Sequence, residues 1–269
     1  MSDTAPALPQ LRTIEMAREG RLLRITMNRP DALNAVNLEL HDDLADAMWF
    51  AQCDTGSDVV VLTGAGRAFS AGGDLDHIEN NARNPHLFAQ EARVARRIVS
   101  PMLDIDKPVI CRMNGHAVGL GATLALLCDV VFAAENAKIG DPHVGLGLVA
   151  GDGGAVLWAQ RIGLARAKEY LLGGDLLTAA KAAEIGLVNH CVPLDELDAR
   201  VDAFCEKLLN GAMMAIRATK ILTNLETKRL ATALMDAGIA YESVSVRTAD
   251  HMEGIMALKE KRKPKFTGR

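Results

Sequence analysis

Short apolar segments with strand-like patterns recur through the first half of the chain. Residues 11–16 and 22–27 flank the turn-like pair Glu19-Gly20 and predict a β-hairpin. Residues 59–62, with the sequence VVVL, form a β-branched segment that predicts a buried strand. Further strands are predicted at residues 108–113 and 129–133.

Helical spacing of apolar residues alternates with these strands. One helix is predicted over residues 37–52, with Asn37 as its N-terminal cap. A longer helix is predicted over residues 85–99, with Pro101 marking its end, and a shorter one within residues 122–127. Because strands and helices alternate, the pattern predicts an α/β layer architecture.

From residue 155 onward the apolar spacing is almost entirely helical. Residues 188–192 are the clear strand-like interruption. We therefore place a soft domain boundary near Arg200, between a core of residues 1–199 and a helical C-terminal subdomain of residues 200–269. The predicted helices cover residues 155–160, 164–172, 178–185, 194–209, 213–222 and 228–248.

Composition narrows the class of protein. The chain has 269 residues, of which 24% are charged, and a formal net charge of −4. This balance argues against global disorder and against a general nucleic-acid binder, which needs a basic face. Only residues 259–265 are locally basic, and they are either a solvated terminus or a phosphate-binding segment. The five cysteines contain no C-x-x-C pair and predict neither a disulfide framework nor a zinc site.

The N-terminal residues show no targeting pattern. A basic region followed by an apolar stretch is not visible in MSDTAPALPQ, and no apolar run approaches the roughly 20 residues that span a bilayer. We therefore expect a cytoplasmic protein with no membrane partner.

Two Gly-rich segments, residues 67–75 and 114–123, each follow an apolar strand and lead into a helix. Glycine allows close approach of a backbone to a ligand, and the first turn of a helix leaves N–H groups unpaired. Two such loops facing each other could donate two peptide N–H groups to a carbonyl oxygen. The alternative is that these glycines serve tight turns and close packing.

A dinucleotide-binding turn is a sharper alternative for the segment that begins at Gly64 and Gly66. The G-x-G-x-x-G pattern would need its third glycine where this chain has Phe69. The Tyr-x-x-x-Lys pair of short-chain dehydrogenases is also missing after Tyr170 and Tyr241. We set the dehydrogenase interpretation aside.

Four segments, taken in order, resemble one family. Residues 28–35 (NRPDALNA) resemble the N-terminal signature of the enoyl-CoA hydratase/isomerase (crotonase) family. Residues 69–75 (FSAGGDL) and 114–121 (NGHAVGLG) resemble its first and second oxyanion loops. The pair Glu253-Gly254 and residues 260–266 (EKRKPKF) resemble its C-terminus. The similarity runs nearly end to end.

The resemblance implies a fold and a ligand. The expected fold is the crotonase (ClpP-like) α/β fold, with repeated ββα units and a helical C-terminal trimerisation region. The expected ligand is an acyl-CoA thioester whose oxygen accepts from the N–H groups of Gly73 and Leu120. The resemblance further implies a homotrimer or a dimer of trimers, and no cofactor besides coenzyme A as part of the substrate; no metal-ligand set stands out. The implied CoA-binding residues are Ala32, Leu33, Ala71, Gly73, Asp74 and Leu75.

The chain departs from the family pattern where hydratases carry two glutamates. Residue by residue, these positions fall on Thr123 and His143, and neither is a carboxylate. His143 could transfer a proton, and Asp152, in a Gly-rich turn before a helix, could orient it or activate water. The alternatives are a hydrogen-bonded pocket histidine and a helix-capping aspartate. A similar His–Asp pair occurs in a family branch that cleaves β-diketones, but that branch has a further histidine where this chain has Leu120.

Three functions therefore remain open. The first is an enzyme that stabilises a thioester enolate, by hydration or isomerisation, or by C–C or thioester hydrolysis through His143 and Asp152. The second is a homologue that binds acyl-CoA or a protein partner without turnover. The third is the RNA binding known for some relatives, which the acidic balance disfavours. Among the remaining polar residues, we expect His116 to be structural and Lys220 to be an exposed helical charge. Asp76 and His77 could line the mouth of a pocket, but a solvated helix start is the favoured interpretation.

Overall fold

The computed structural model describes residues 5–92 and 96–269. Its strands are β1 (Ile14–Glu19), β2 (Leu22–Met27), β3 (Val59–Gly64), β4 (Ala68–Ser70), β5 (Val109–Met113), β6 (His116–Val118), β7 (Val130–Ala134), β8 (Lys138–Gly140), β9 (Leu177–Thr178) and β10 (His190–Val192). Its helices are α1 (Leu38–Cys53), α2 (Leu75–Arg83), α3 (Pro85–Glu91), α4 (Arg96–Asp104), α5 (Leu120–Leu127), α6 (Gly154–Gly173), α7 (Ala179–Glu184), α8 (Leu197–Leu209), α9 (Met213–Ser245) and α10 (Ala249–Lys259). Short 3-10 turns cover Pro30–Ala32 and His143–Leu146.

A six-stranded sheet forms the centre of the core, in the order β1-β2-β3-β5-β7-β10. The predicted hairpin is confirmed, since β1 and β2 are antiparallel neighbours. Ile14 pairs with Met27 at one end and Glu19 pairs with Leu22 at the other. The remaining neighbours are parallel. All six residues of β3 are buried, as expected of a continuous apolar strand covered on both faces.

A smaller sheet, in the order β4-β6-β8-β9, explains the repeated units. In each unit one strand joins the large sheet, the next joins the small sheet, and a helix follows. The units are β3-β4-α2, β5-β6-α5 and β7-β8-α6. The predicted α/β architecture of ββα units is thereby confirmed.

Two helix predictions in the first half are wrong in detail. The predicted helix over residues 85–99 is divided, because α3 ends at Glu91 and α4 begins at Arg96; residues 93–95 of that prediction lie outside the described residues. Pro101 does not end the helix but lies inside α4. Burial of an apolar face offsets the missing hydrogen bond, and that face consists of Ile98, Val99, Met102 and Leu103. Asn37 caps α1 as predicted, accepting a hydrogen bond from Leu40 N–H at 3.0 Å.

The C-terminal helices also differ from their predicted bounds. The helices predicted over residues 213–222 and 228–248 form one continuous helix, α9. Thr223, in the predicted gap, lies within it, and its Oγ1 donates to Thr219 O. The predicted boundary at Arg200 falls within α8, and the division into two domains stays a prediction. Among the described helices, none is both long and apolar enough to cross a membrane.

Lys220 is not the exposed charge that helical spacing predicted. Its side chain is 6% exposed, and its Nζ lies 2.8 Å from Asp129 Oδ2 and donates to Lys107 O at 2.7 Å. A lysine can be buried when its charge is paired and its donors are satisfied, which spacing along one helix does not reveal.

Candidate active site

Three neighbouring strands of the small sheet position the candidate site. Strands β4, β6 and β8 are parallel, so their carboxyl ends meet at one edge. The first Gly-rich segment contains β4 and the second contains β6, while Asp141 and His143 follow β8. The topology therefore brings together segments that are far apart in the sequence.

The two Gly-rich segments pack directly against each other. A Cβ atom on Gly72 would lie 2.7 Å from Val118 O, and one on Gly121 would lie 2.5 Å from Ser70 O. Gly72 and Gly119 also have φ angles of +90° and +53°, which glycine adopts at little cost. The glycines serve close packing, and that packing places the two loops at one site.

Two backbone N–H groups beside this contact have no acceptor among the described residues: those of Gly73 and Leu120. Leu120 begins α5, where N–H groups lack a partner within the helix and the helix dipole is positive. Gly73 lies in a bridge with Val36 whose hydrogen bonds are made by Val36 N–H and Asp74 N–H instead. The structure leaves both predicted donors available to a ligand, and their role as an oxyanion hole stays a prediction.

A cavity of about 810 Å³ lies beside these donors, and both Gly73 and Leu120 line it. Of the predicted CoA-binding residues, Leu33 does not line the cavity; its carbonyl oxygen accepts from Ala71 N–H at 3.0 Å. The others line the cavity: Ala32, Ala71, Gly73, Asp74 and Leu75. Their contact with CoA stays a prediction.

His143 lies between two carboxylates at the cavity wall. Its Nδ1 donates to Asp141 Oδ1, and its Nε2 lies 3.8 Å from Asp152 Oδ2. The ring also packs on the second loop, since a Cβ on Gly119 would lie 3.5 Å from His143 Cε1. The structure thus brings together the predicted residues His143, Asp152 and Leu120.

Asp152 reaches a second neighbour as well. Thr123 Oγ1 donates to Asp152 Oδ1 at 3.3 Å, and Gly154 N–H approaches the same oxygen at 3.4 Å. The Asp152 carboxylate therefore bridges the space between Thr123 and His143. The N-cap of α6 is Gly153 and not Asp152, although the Asp152 carboxylate does approach the first N–H group of that helix.

Two acidic residues of the site were missed by the sequence analysis. Asp141 is 2% exposed, and its Oδ2 has no hydrogen-bond partner among the described residues. Glu242, on α9, is 8% exposed and lines the cavity. The position of Asp141 at the end of β8 was a usable signal, whereas nothing in the sequence near Glu242 points to the site. We call Asp141, His143, Asp152 and Glu242 the aspartate cluster.

Excess negative charge governs protonation in the aspartate cluster. Burial disfavours the imidazolium of His143, but the carboxylates of Asp152 and Asp141 outweigh it and raise the pKa of His143 to about 10. Burial, with help from Asp141, raises the pKa of Asp152 against the opposing effect of His143. Burial and the Asp152 carboxylate raise the pKa of Glu242 to about 8. Three carboxylates face one imidazolium. Near neutral pH the carboxyl groups therefore share a proton in addition to the one on His143.

Helix α10 fixes the turn that carries His143. His251 Nδ1 donates to Leu146 O at 2.8 Å, and a Cβ on Gly254 would lie 2.7 Å from Leu146 Cα. The C-terminal pair Glu253-Gly254 therefore contributes a glycine whose lack of a side chain lets α10 pack on this turn.

The enoyl-CoA hydratase/isomerase family model matches residues 17–269. The chain belongs to this family. It is 34% identical to the 2,3-dehydroadipyl-CoA hydratase of Escherichia coli K12, over 94% of this chain and 98% of the relative. It is 35% identical to the 1,2-epoxyphenylacetyl-CoA isomerase of the same organism, over 93% and 97%. A crystal structure of an enoyl-CoA hydratase/isomerase from Mycobacterium paratuberculosis superposes with a TM-score of 0.88 at 40% identity, covering 92% of this chain and 99% of that one. The predicted crotonase fold is confirmed.

The resemblance expects hydratase glutamates at two positions of this chain, and that assignment stays a prediction. Thr123 and His143 occupy them, and the bridging carboxylate of Asp152 comes from the later Gly-rich turn. A carboxylate is therefore present between the two positions although neither position supplies it.

The aspartate cluster also contains a set of groups with metal-ligand spacing, although the sequence analysis found none. One ligand atom each from Asp141, His143 and Asp152 lies within 4.8 Å of the others. A cation there would have to displace the Nδ1 proton that His143 shares with Asp141 or bind at Nε2 after its proton leaves. The raised pKa of His143 opposes that loss.

His116 and His77 have different environments in the structure. His116 Nδ1 accepts from Lys138 N–H at 3.1 Å, which agrees with a structural role. His77 is not a solvated helix start, because its side chain is only 22% exposed, lines the cavity and pairs with Glu91.

Proposed function

We propose that this family member acts on an acyl-CoA thioester and stabilises its enolate. The thioester oxygen accepts from the N–H groups of Gly73 and Leu120, and the acyl chain enters the cavity that they border. This assignment is supported by the two available N–H groups at the contact of the loops and by the CoA esters that the relatives' names contain. One such donor is worth about 3 kcal/mol in a transition state.

The observation that carries the proposal is the Asp152 carboxylate, which bridges Thr123 and His143 beside the second loop. In a hydration, Asp152 accepts a proton from water while the water oxygen bonds to the β-carbon. The electrons of the double bond are displaced onto the thioester oxygen as an enolate. As the enolate collapses, the α-carbon takes up the proton held by Asp152, which returns to its carboxylate form. In an isomerisation, Asp152 removes and returns a proton on carbon. His143, held as an imidazolium by Asp141 and Asp152, offsets the charge on Asp152.

Hydrolysis of a C–C bond or of the thioester is the second candidate. The specific observation is the Asp141–His143 hydrogen bond, which fixes the ring and directs Nε2 toward Asp152. An oriented imidazole next to a carboxylate can exchange protons with a bound water. The same two N–H groups would then stabilise the oxyanion or the enolate that leaves.

Turnover of crotonyl-CoA by the wild type beside Asp152→Asn and His143→Ala tests the proposal. We expect hydration by the wild type and a loss of about 10² to 10⁴ in kcat for Asp152→Asn, which is the usual contribution of a general acid or base. The exposed Asp195→Asn is the matched control and should keep the wild-type rate. No hydration, with cleavage of a β-keto thioester that both active-site variants abolish, would replace the proposal with the hydrolase. Failure of any CoA ester to bind or react would reject both.

We also propose a homotrimer or a dimer of trimers in the cytoplasm, with no cofactor besides coenzyme A. Apolar side chains exposed along α9 support assembly, namely Leu222, Leu225, Tyr241 and Val244. Sedimentation equilibrium should give three or six times the 28.8 kDa of one chain. A monomer at micromolar concentration would contradict this.

A further inference from the structure

A second polar cluster lines the same cavity, on the walls formed by α1 to α3. It contains two histidines, an asparagine and a glutamate, and none of them belongs to the aspartate cluster. We call it the asparagine cluster: His41, His77, Asn81 and Glu91. Apolar side chains that also line the cavity surround it, including Phe88, Ala92, Ile98 and Val99.

Hydrogen bonds within the asparagine cluster fix the orientation of Asn81. Glu91 Oε2 lies 3.0 Å from His77 Nε2 and accepts from Asn81 Nδ2 at 3.0 Å. Because a carboxylate only accepts, the amide nitrogen of Asn81 must face Glu91. The amide oxygen of Asn81 therefore points away from the carboxylate.

Two fully covered side-chain atoms of this cluster have no hydrogen-bond partner among the described residues. They are Asn81 Oδ1 and His41 Nδ1, and each is buried. Asn81 as a whole is only 5% exposed, and the nearest carboxylate to His41 Nδ1, that of Asp42, is 4.0 Å away. A buried acceptor without a donor is costly, so such atoms indicate a missing hydrogen-bonding group. Both residues border the cavity in which the proposed function places the acyl chain.

We propose that the asparagine cluster recognises an acyl chain bearing a hydroxyl group at a distance from the thioester. Both atoms are covered by neighbouring groups, so binding requires the side chains of Asn81 and His41 to turn toward the cavity. The hydroxyl then donates to Asn81 Oδ1, and its lone pairs accept from a ring N–H such as that of His41. This inference rests on the proposed function, because it names the class of acyl group that the same cavity takes.

Other acyl groups fit these two atoms less well. A saturated hydrocarbon end would bury Asn81 Oδ1 without a donor. A carboxylate end has only acceptors, so it cannot satisfy Asn81 Oδ1, and it would approach the carboxylate of Glu91. Burial lowers the pKa of His41, so its ring is neutral and does not supply a positive charge for an anionic ligand.

Calorimetric titration of the full-length protein with saturated acyl-CoA esters tests the inference without turnover. Three series of matched chain length are compared, ending in a methyl, a hydroxyl or a carboxylate group. We expect the hydroxyl series to bind roughly tenfold more tightly than the methyl series at one chain length or more, as one well-made buried hydrogen bond allows. Asn81→Leu should abolish that preference and leave the affinity for the methyl series within about threefold.

The exposed neighbour Asn80, on the same helix, gives the matched control Asn80→Leu, which should keep the wild-type preference. Equal affinity of the wild type for the methyl and hydroxyl series at every length, or tightest binding of the carboxylate series, would overturn the inference while leaving the proposed function intact. Failure of all three series to bind would instead reject the proposed function. The affinities of the wild type alone can overturn the inference, so the test remains decisive even if Asn81→Leu does not fold.

Discussion

Two polar clusters line one cavity, and they differ in their balance of charge. The aspartate cluster sets three carboxylates against one histidine, whereas the asparagine cluster sets one carboxylate against two histidines and an amide. In the first, carboxylates outweigh the effect of burial and raise the pKa of His143 to about 10, while burial and the Asp152 carboxylate raise that of Glu242 to about 8. In the second, the hydrogen bond to Glu91 raises the pKa of His77, while burial lowers that of His41.

The difference in charge suits the aspartate cluster to proton transfer and the asparagine cluster to ligand recognition. Excess negative charge in a buried site stores a proton at neutral pH, which suits a group that must give and take protons. A cluster with one carboxylate and unpaired hydrogen-bonding atoms suits a neutral polar ligand. Burial is common to both clusters, so the number of carboxylates decides what each can do.

Displacement of Asp141 should have the largest effect on the aspartate cluster. A Cβ on Gly154 would lie 2.0 Å from Asp141 Oδ2, so Gly154→Ala must move Asp141 and release the His143 ring. We expect kcat to fall about 100-fold, because small displacements of catalytic groups cost that much. Steady-state kinetics with the CoA ester that the wild type turns over measures the loss. Gly173→Ala, at the other end of α6, meets only the side chain of Asp175 at 3.2 Å and serves as the control; equal rates for the two variants would contradict the positioning role.

Removal of the charge at Glu242 should have an intermediate effect, seen in the pH dependence of stability. The folded protein binds the Glu242 proton more tightly than the unfolded chain does, so its contribution to stability is lost as the pH rises from 4.5 to about 8. Glu242→Gln should therefore reduce the fall in unfolding free energy over this window, by at most about 5 kcal/mol. Urea unfolding at several pH values measures this. The exposed Glu226→Gln, on the same helix, should leave the wild-type slope, and an unchanged slope in Glu242→Gln would show that Glu242 is not part of the charge excess.

The smallest effect is expected in the asparagine cluster. Glu91→Gln removes the carboxylate that raises the pKa of His77, so this pKa should return toward 6.5. The stability from the pair is fully present below pH 6.5 and is lost as the pH rises through the pKa of folded His77. We expect a destabilisation below about 1 kcal/mol, confined to the acidic side. Histidine resonances followed by NMR against pH measure the pKa of His77. The same His77 pKa in Glu91→Gln and in the wild type would show that Glu91 does not raise it.

Local patterns predicted much of the fold. The continuous apolar segment of β3 and the cap at Asn37 depend on neighbours in sequence, and both are found where predicted. Pro101 was predicted wrongly, because tertiary packing of an apolar face overrides a local breaking signal. The length of α9 was also predicted wrongly, since local apolar spacing divided this one helix into two. Lys220 was misplaced for a related reason, since its partner Asp129 lies far away in the sequence.

The family, the α/β class and the two Gly-rich loops were predictable from the sequence alone, because they follow from short motifs in order and from local periodicity. It also singled out His143 and Asp152. Only the tertiary structure decided that Asp141 and Glu242 join them and that Asn81 borders the same cavity. These residues come from separate strands and helices, and the charge balance that sets their chemistry exists only when the chain has buried them together.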